Sequence, residues 1–163
     1  MHDCVIRGFR AEDLEGVHRL IHETIDACYP EAYPPRAVAY FKQFHSREKI
    51  AERARAGTLL VAVRDGKIVG TGARVGGEIF GVFVRPGMQR SGCGRALMLE
   101  LERGARAEGI AEIELSVSLP SRGFYEGLGY MVQQERSIDV GAGECLRYWD
   151  ASKELMPGSV VTE

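Results

Sequence analysis

The stretch "VRPGMQRSGCGRALM", Val84 to Met98, is the most informative in the sequence. Within it, Gln89 to Arg95 sets two glycines, a serine and two arginines directly before a leucine-rich helical run, more polar chemistry than a plain turn needs. The apolar run "EIFGVFV" precedes it and "RALMLELERGA" follows, so the order is strand, glycine-rich loop, helix. Such a loop can cradle a phosphate, and spacing sorts the ways of doing so. A P-loop needs Lys and then Ser or Thr after its last glycine, whereas Gly94 is followed by Arg95 and Ala96. A dinucleotide fingerprint needs G-x-G-x-x-G/A; Gly92 and Gly94 fit, but Leu97 stands in the third place and the loop is too long. Glu114, 20 residues after Gly94, stands where an acidic ribose ligand belongs, yet it alternates with Ile113 and Leu115 as an outward strand residue does. A plain strand-to-helix turn explains the glycines through positive φ but gives Gln89, Arg90, Ser91 and Arg95 no role.

Upstream of the loop, "TLLVAV", "KIVGTGARV" and "EIFGVFV" are separated by "RDGK" and "GG", hairpin signals that predict three antiparallel strands. Before them, "CVIRGF" reads as a strand. Residues 12 to 28 read as a helix with Leu14, Val17, Ile21 and Cys28 at helical spacing and Glu12 and Asp13 in its first turn. The prolines of "CYPEAYPP" end that helix, and a second helical region spans residues 36 to 56 up to Gly57. Downstream, the helix after the loop runs to about Glu108, with Leu97, Leu101 and Ala105 on one stripe and Glu100, Glu102, Arg103 and Arg106 elsewhere. "EIELSV" alternates as a strand burying Ile113, Leu115 and Val117, "LPSRGFYEGLGY" is a short helix closed by glycines, and "YMVQQERSI" with "ECLRYWDAS" forms a last hairpin. The expectation is one α/β domain over residues 1–155, a mixed, mostly antiparallel sheet flanked by helices, with a flexible tail at 156–163.

At 163 residues, 45% hydrophobic and 27% charged, the chain can bury a real core. A net charge of -2 offers no global attraction to nucleic acid or anionic membrane, so phosphate recognition must be local and neither is an expected partner. Cys4, Cys28, Cys93 and Cys145 are scattered without CxxC, which predicts free thiols and a reducing, cytoplasmic setting. No leader pattern opens the sequence and no window is apolar enough to span a membrane.

Gln89-Arg90-Ser91-Gly92-Cys93-Gly94 resembles the Q/R-x-x-G-x-G/A pyrophosphate-binding signature of the general N-acetyltransferase (GNAT) superfamily. In that family the signature follows a central strand ending in a V-x-P type turn, here "VFVRP", and opens a helix. "FYEGLGY", Phe124 to Tyr130, is similar to its F-Y-E-x-x-G-F/Y segment. The resemblance covers most of the chain, least of all residues 28 to 57. It implies acetyl-coenzyme A as cosubstrate, without a metal. The loop Gln89, Arg90, Ser91, Gly92, Cys93, Gly94, Arg95 and Ala96 would hold the pyrophosphate, since N–H groups converging at a helix N-terminus make an anion site. A side chain at Gly92 or Gly94 is expected to block close approach of the phosphates. The backbone of Val82, Phe83 and Val84 would take the pantetheine arm as an added strand.

The reaction so implied is transfer of an acetyl group to an amine, which must lose a proton to react. Glu78, 11 residues before Gln89, stands at a separation where some members carry a general base. Tyr125 matches the family tyrosine near the coenzyme sulfur. Ser118 and Ser121 occupy positions where members often carry Asn and Ala, and their hydroxyls can bond the pantetheine amide. Tyr29, Tyr33 and Tyr148, with Asp26, Glu31 and Trp149, are candidate walls for a small-molecule or peptide amine. His18 and His22 lack a third metal ligand, and Cys93, expected to be exposed, has no neighbouring histidine, so transfer is expected to be direct. A coenzyme A sensor without turnover and a nucleotide-binding domain are the rival readings, and the terminal strands could pair two copies into a homodimer.

Overall fold

Apolar residues run without alternation through the middle of the chain because helices cover both faces of those strands. The computed structural model describes residues 4–156. In it β1 (Val5–Gly8), β2 (Thr58–Arg64), β3 (Lys67–Val75) and β4 (Glu78–Val84) are successive antiparallel neighbours. Asp65 and Gly66 turn β2 into β3 with φ of 53° and 76°, as the Asp-Gly hairpin signal requires. β5 (Glu112–Ser118) lies parallel to β4, and β7 (Glu144–Glu154) slots between β5 and β6 (Met131–Gly141). The seven-stranded order β1-β2-β3-β4-β5-β7-β6 is thus mixed and mostly antiparallel.

Helices α1 (Leu14–Cys28), α2 (Pro35–Phe44) and α3 (Arg47–Ala56) bury Val17, Ile21, Ala37 and Ile50 with Val61, Ala73 and Phe83 of the sheet. On the other face α4 (Cys93–Ala107) buries Leu97, Met98, Leu101 and Ala105 with Leu60, Ala62 and Ile113. A parallel pair needs a crossover, and α4 is the crossover from β4 to β5. Its N-terminus therefore opens where β4 ends. The short α5 (Arg122–Gly127) follows β5 at the same end.

Three expectations change. The helix expected over 36 to 56 is broken: His45 leaves helical geometry (φ −114°, ψ 45°), and Ser46 caps α3 by accepting the Lys49 N–H at 3.2 Å. Glu102 joins the buried stripe of α4, only 1% exposed, because Tyr130 and Lys153 meet its carboxylate. Cys4 and Cys93 are not free; they form a disulfide, Cα atoms 5.7 Å apart, since β1 runs beside the start of α4. Of the tail expected at 156–163, residues 157–163 lie outside the described residues.

Candidate active site

β4 and β5 are in register only at Glu78 and Glu114, where the Glu114 N–H donates to the Gly77 carbonyl at 2.9 Å. Past that point no ladder pair joins them. A bulge contributes: between the pairs Ala73–Phe80 and Thr71–Phe83, Gly81 and Val82 have no partner on β3, and Gly81 takes φ 68°. The Arg85 N–H donates to Val69 O at 2.8 Å, so the two-residue period turns the polar groups of Phe83 toward β3 and those of Val84 toward the gap. The Gln89 side chain reaches back to Val84 O at 3.2 Å.

The loop closes this gap at one end. Arg90 (φ 67°) and Gly92 (φ 92°) are left-handed, and the first helical bond runs from the Ala96 N–H to Gly92 O at 3.0 Å. The N–H groups of Cys93, Gly94 and Arg95 therefore have no carbonyl of their own helix, and no side chain caps them. The side chains of Arg90, Ser91 and Arg95 are exposed around them. The glycines have two distinct reasons: a Cβ on Gly92 would meet open space, so its φ is what requires glycine, whereas a Cβ on Gly94 would stand 3.1 Å from the Phe124 ring. Cys93, expected to be exposed, is buried at 1% because the disulfide draws it inward.

Beside the gap lies a cavity of about 270 Å³. Glu78, Gly81 and Val82 of β4 form one wall, Ser116 and Ser118 of β5 another, and Tyr125 of α5 joins them. Tyr29, Phe41, Phe44 and Tyr148 make the remainder largely aromatic. Tyr125 is buried, its hydroxyl makes no hydrogen bond among the described residues, and burial followed by the nearby Tyr29 pushes its pKa up. Ser118 and Ser121 share a 2.7 Å hydrogen bond, and the Tyr29 hydroxyl donates to Ser118 at 3.2 Å. Tyr33 stands behind this wall: its hydroxyl donates to Arg147 O at 2.7 Å and accepts the Leu119 N–H at 2.8 Å, and it does not border the cavity. Asp26 is engaged by Lys42 on the surface, Glu31 is exposed, and Trp149 lies under Arg122.

Sequence reasoning passed over His45, which borders the cavity and is 4% exposed. Arg53 Nη1 lies 2.9 Å from His45 Nδ1. A guanidinium can only donate, so Nδ1 accepts and the proton of the neutral ring sits on Nε2. Burial, then Arg53, then His22 lower this histidine to about 3. Ser46 was the available signal, since a serine N-cap inside a presumed helix implies a break and turns its predecessor out of the helical stripe. His18 and His22 stack 3.9 Å apart, and no group of three metal-ligating side chains occurs among the described residues.

The sequence profile of the acetyltransferase (GNAT) domain matches residues 29–142. A probable N-acetyltransferase 14 from Danio rerio is 35% identical over 98 residues, covering 54% of this chain and 35% of that relative. The chain thus spans about a third of the length of the curated relative it matches. In structure it is similar to a GCN5-related N-acetyltransferase (aminotransferase, class-II) from Rhodopseudomonas palustris, with TM-score 0.85, 22% identity, and 95% and 98% of the two chains covered. It is also similar to the PaiA N-acetyltransferase of Thermoplasma acidophilum in complex with coenzyme A, with TM-score 0.76, 20% identity, and 93% and 99% covered. No described helix is long and apolar enough to cross a membrane.

Proposed function

Because the chain belongs to the GNAT acetyltransferase family, we propose that it moves an acetyl group from acetyl-coenzyme A to a primary amine by direct attack. The observation that carries this reading is the parting of β4 from β5 beside an uncapped helix N-terminus. An extended, amide-bearing arm fits such a gap as an added strand along Val82–Val84, with the hydroxyls of Ser118 and Ser121 within its reach. The free N–H groups of Cys93, Gly94 and Arg95, with Arg90 and Arg95 for charge, suit a pyrophosphate. The coenzyme A bound by the Thermoplasma protein agrees with this donor.

The donor supplies a thioester: an amine nitrogen attacks its carbonyl carbon, the C–N bond forms as the C–S bond breaks, one proton leaves nitrogen and one reaches sulfur. Glu78, on the cavity wall, accepts the proton from nitrogen. His45 cannot, because its one free nitrogen already carries a proton. Tyr125 acts at the sulfur. Transfer from an ordinary phenol to a thiolate is uphill by roughly 2 kcal/mol, and burial raises Tyr125 further, so its contribution is a hydrogen bond to the departing sulfur. Cys93 is buried and paired, which favours direct transfer over an acyl-cysteine.

Thiol release from acetyl-coenzyme A over a broad panel of amines tests this. At least one amine is expected to turn over, with Tyr125→Phe lowering kcat by about 10- to 100-fold without abolishing it. Coenzyme binding with no thiol release for any amine would instead make the chain a sensor.

A further inference from the structure

His45 and Arg53 are an unusual feature of the cavity. Arg53 is 8% exposed, yet among the described residues no carboxylate meets it. Its guanidinium donates to Phe44 O at 2.7 Å, engages His45, and lies 5.1 Å from the Phe44 ring centroid and 5.0 Å from that of Phe80. It stands behind the cavity wall, and His45 stands on that wall. With Nδ1 committed to Arg53, the ring presents Nε2–H, and Nε2 finds no partner among the described residues. A donor on the cavity wall with no hydrogen-bond partner among the described residues is open to an acceptor in the cavity, and the Arg53 cation behind it makes the wall favour oxygen. The remaining walls are aromatic and aliphatic, apart from Glu78, the serines and Gly81. An acceptor fitting these walls has an amine for Glu78, an apolar body for Phe41, Phe44 and Tyr148, and an oxygen for His45. A second ammonium at that wall would face the Nε2–H donor of His45 and the positive charge of Arg53 behind it.

We propose that His45 is a specificity-determining residue whose Nε2–H binds a carboxylate or carbonyl oxygen of the acceptor, so that the substrate class is an apolar amino acid or its amide, as at a peptide N-terminus. This rests on the acetyltransferase reading above. Arg53 is a positioning residue that holds the tautomer.

The test compares L-phenylalanine, L-phenylalaninamide and 2-phenylethylamine as acceptors by thiol release from acetyl-coenzyme A, with rates corrected for the fraction of neutral amine. Wild-type protein is expected to prefer at least one oxygen-bearing acceptor over phenylethylamine by about 10-fold in kcat/KM, chiefly through KM. Preference for phenylalanine identifies a carboxylate, and preference for the amide identifies a carbonyl. His45→Phe brings the ratio close to one, and His45→Gln, which keeps a donor, restores part of it. Equal use of all three amines by the wild type overturns the inference while leaving the acetyltransferase reading intact. So does a His45→Phe variant that slows all three in parallel, since that marks a merely structural role. Absence of thiol release from every amine, with acetyl-coenzyme A binding seen by calorimetry, overturns both.

Discussion

Tyr130 donates a 2.7 Å hydrogen bond to Glu102, whose carboxylate also receives Lys153 Nζ at 3.0 Å inside the packed face of α4. Lys153 in turn donates to Leu128 O at 2.8 Å, so one buried carboxylate ties α4 to β7 and to the turn after α5. Glu102→Ala strands the ammonium and leaves a void, and is expected to destabilise the protein by about 3 kcal/mol. Tyr130→Phe removes one hydrogen bond and costs about 1 kcal/mol. Urea unfolding measures both; a Glu102→Ala cost no larger than that of an exposed glutamate contradicts the assignment.

His45 gives the protein an acid-sensitive limb. Its folded pKa of about 3 lies below an unfolded value of about 6.5. Between these, the unfolded chain binds a proton that the folded one does not, so stability rises with pH across the window and falls on acidification. Going from pH 7.5 to pH 5 should cost about 2 kcal/mol at 1.36 kcal/mol per unit. Asp13, lowered chiefly by its hydrogen bond from Arg7, adds a separate loss only below about pH 4. Chemical denaturation across pH should therefore show a slope between pH 5 and 6.5 that His45→Phe flattens; an unchanged slope contradicts it.

The Cys4–Cys93 disulfide spans 89 residues. Closing so long a loop in the unfolded chain should contribute about 2–4 kcal/mol. Oxidised protein is expected to unfold at higher urea than reduced protein, and Cys4→Ser to be indifferent to reductant. An unfolding midpoint that reductant does not move contradicts the pairing.

Gly94 and Phe124 should be energetically coupled. Alanine at Gly94 gains helix propensity of about 1 kcal/mol, but its methyl group meets the Phe124 ring at 3.1 Å. Gly94→Ala is therefore expected to be more favourable by about 1 kcal/mol in a Phe124→Ala background than alone. Strict additivity in the double-mutant cycle contradicts the contact.

What the sequence carried most clearly was local. Asp65-Gly66 set the β2–β3 turn, the apolar runs set the strands, and the loop from Gln89 to Ala96 announced the crossover helix. What it hid depended on distant partners. Glu102 sits at a spacing compatible with either face of α4, and the partners that make its burial tolerable, Tyr130 and Lys153, lie 28 and 51 residues away. Cys4 and Cys93 share no local motif and meet because β1 lies near the start of α4. Tyr33 and Tyr29 belong to one short segment, yet only Tyr29 borders the cavity. His45 depended on a local clue, the cap at Ser46, combined with a partner eight residues on in the next helix.

Whether the gap beside the loop takes acetyl-coenzyme A, as proposed, is measured by titration calorimetry on the folded protein. One molecule is expected to bind per chain, with S-acetylpantetheine, which lacks the pyrophosphate, binding at least about tenfold more weakly. Folded protein that takes up no acetyl-coenzyme A, or that binds the two compounds equally well, would contradict the proposal.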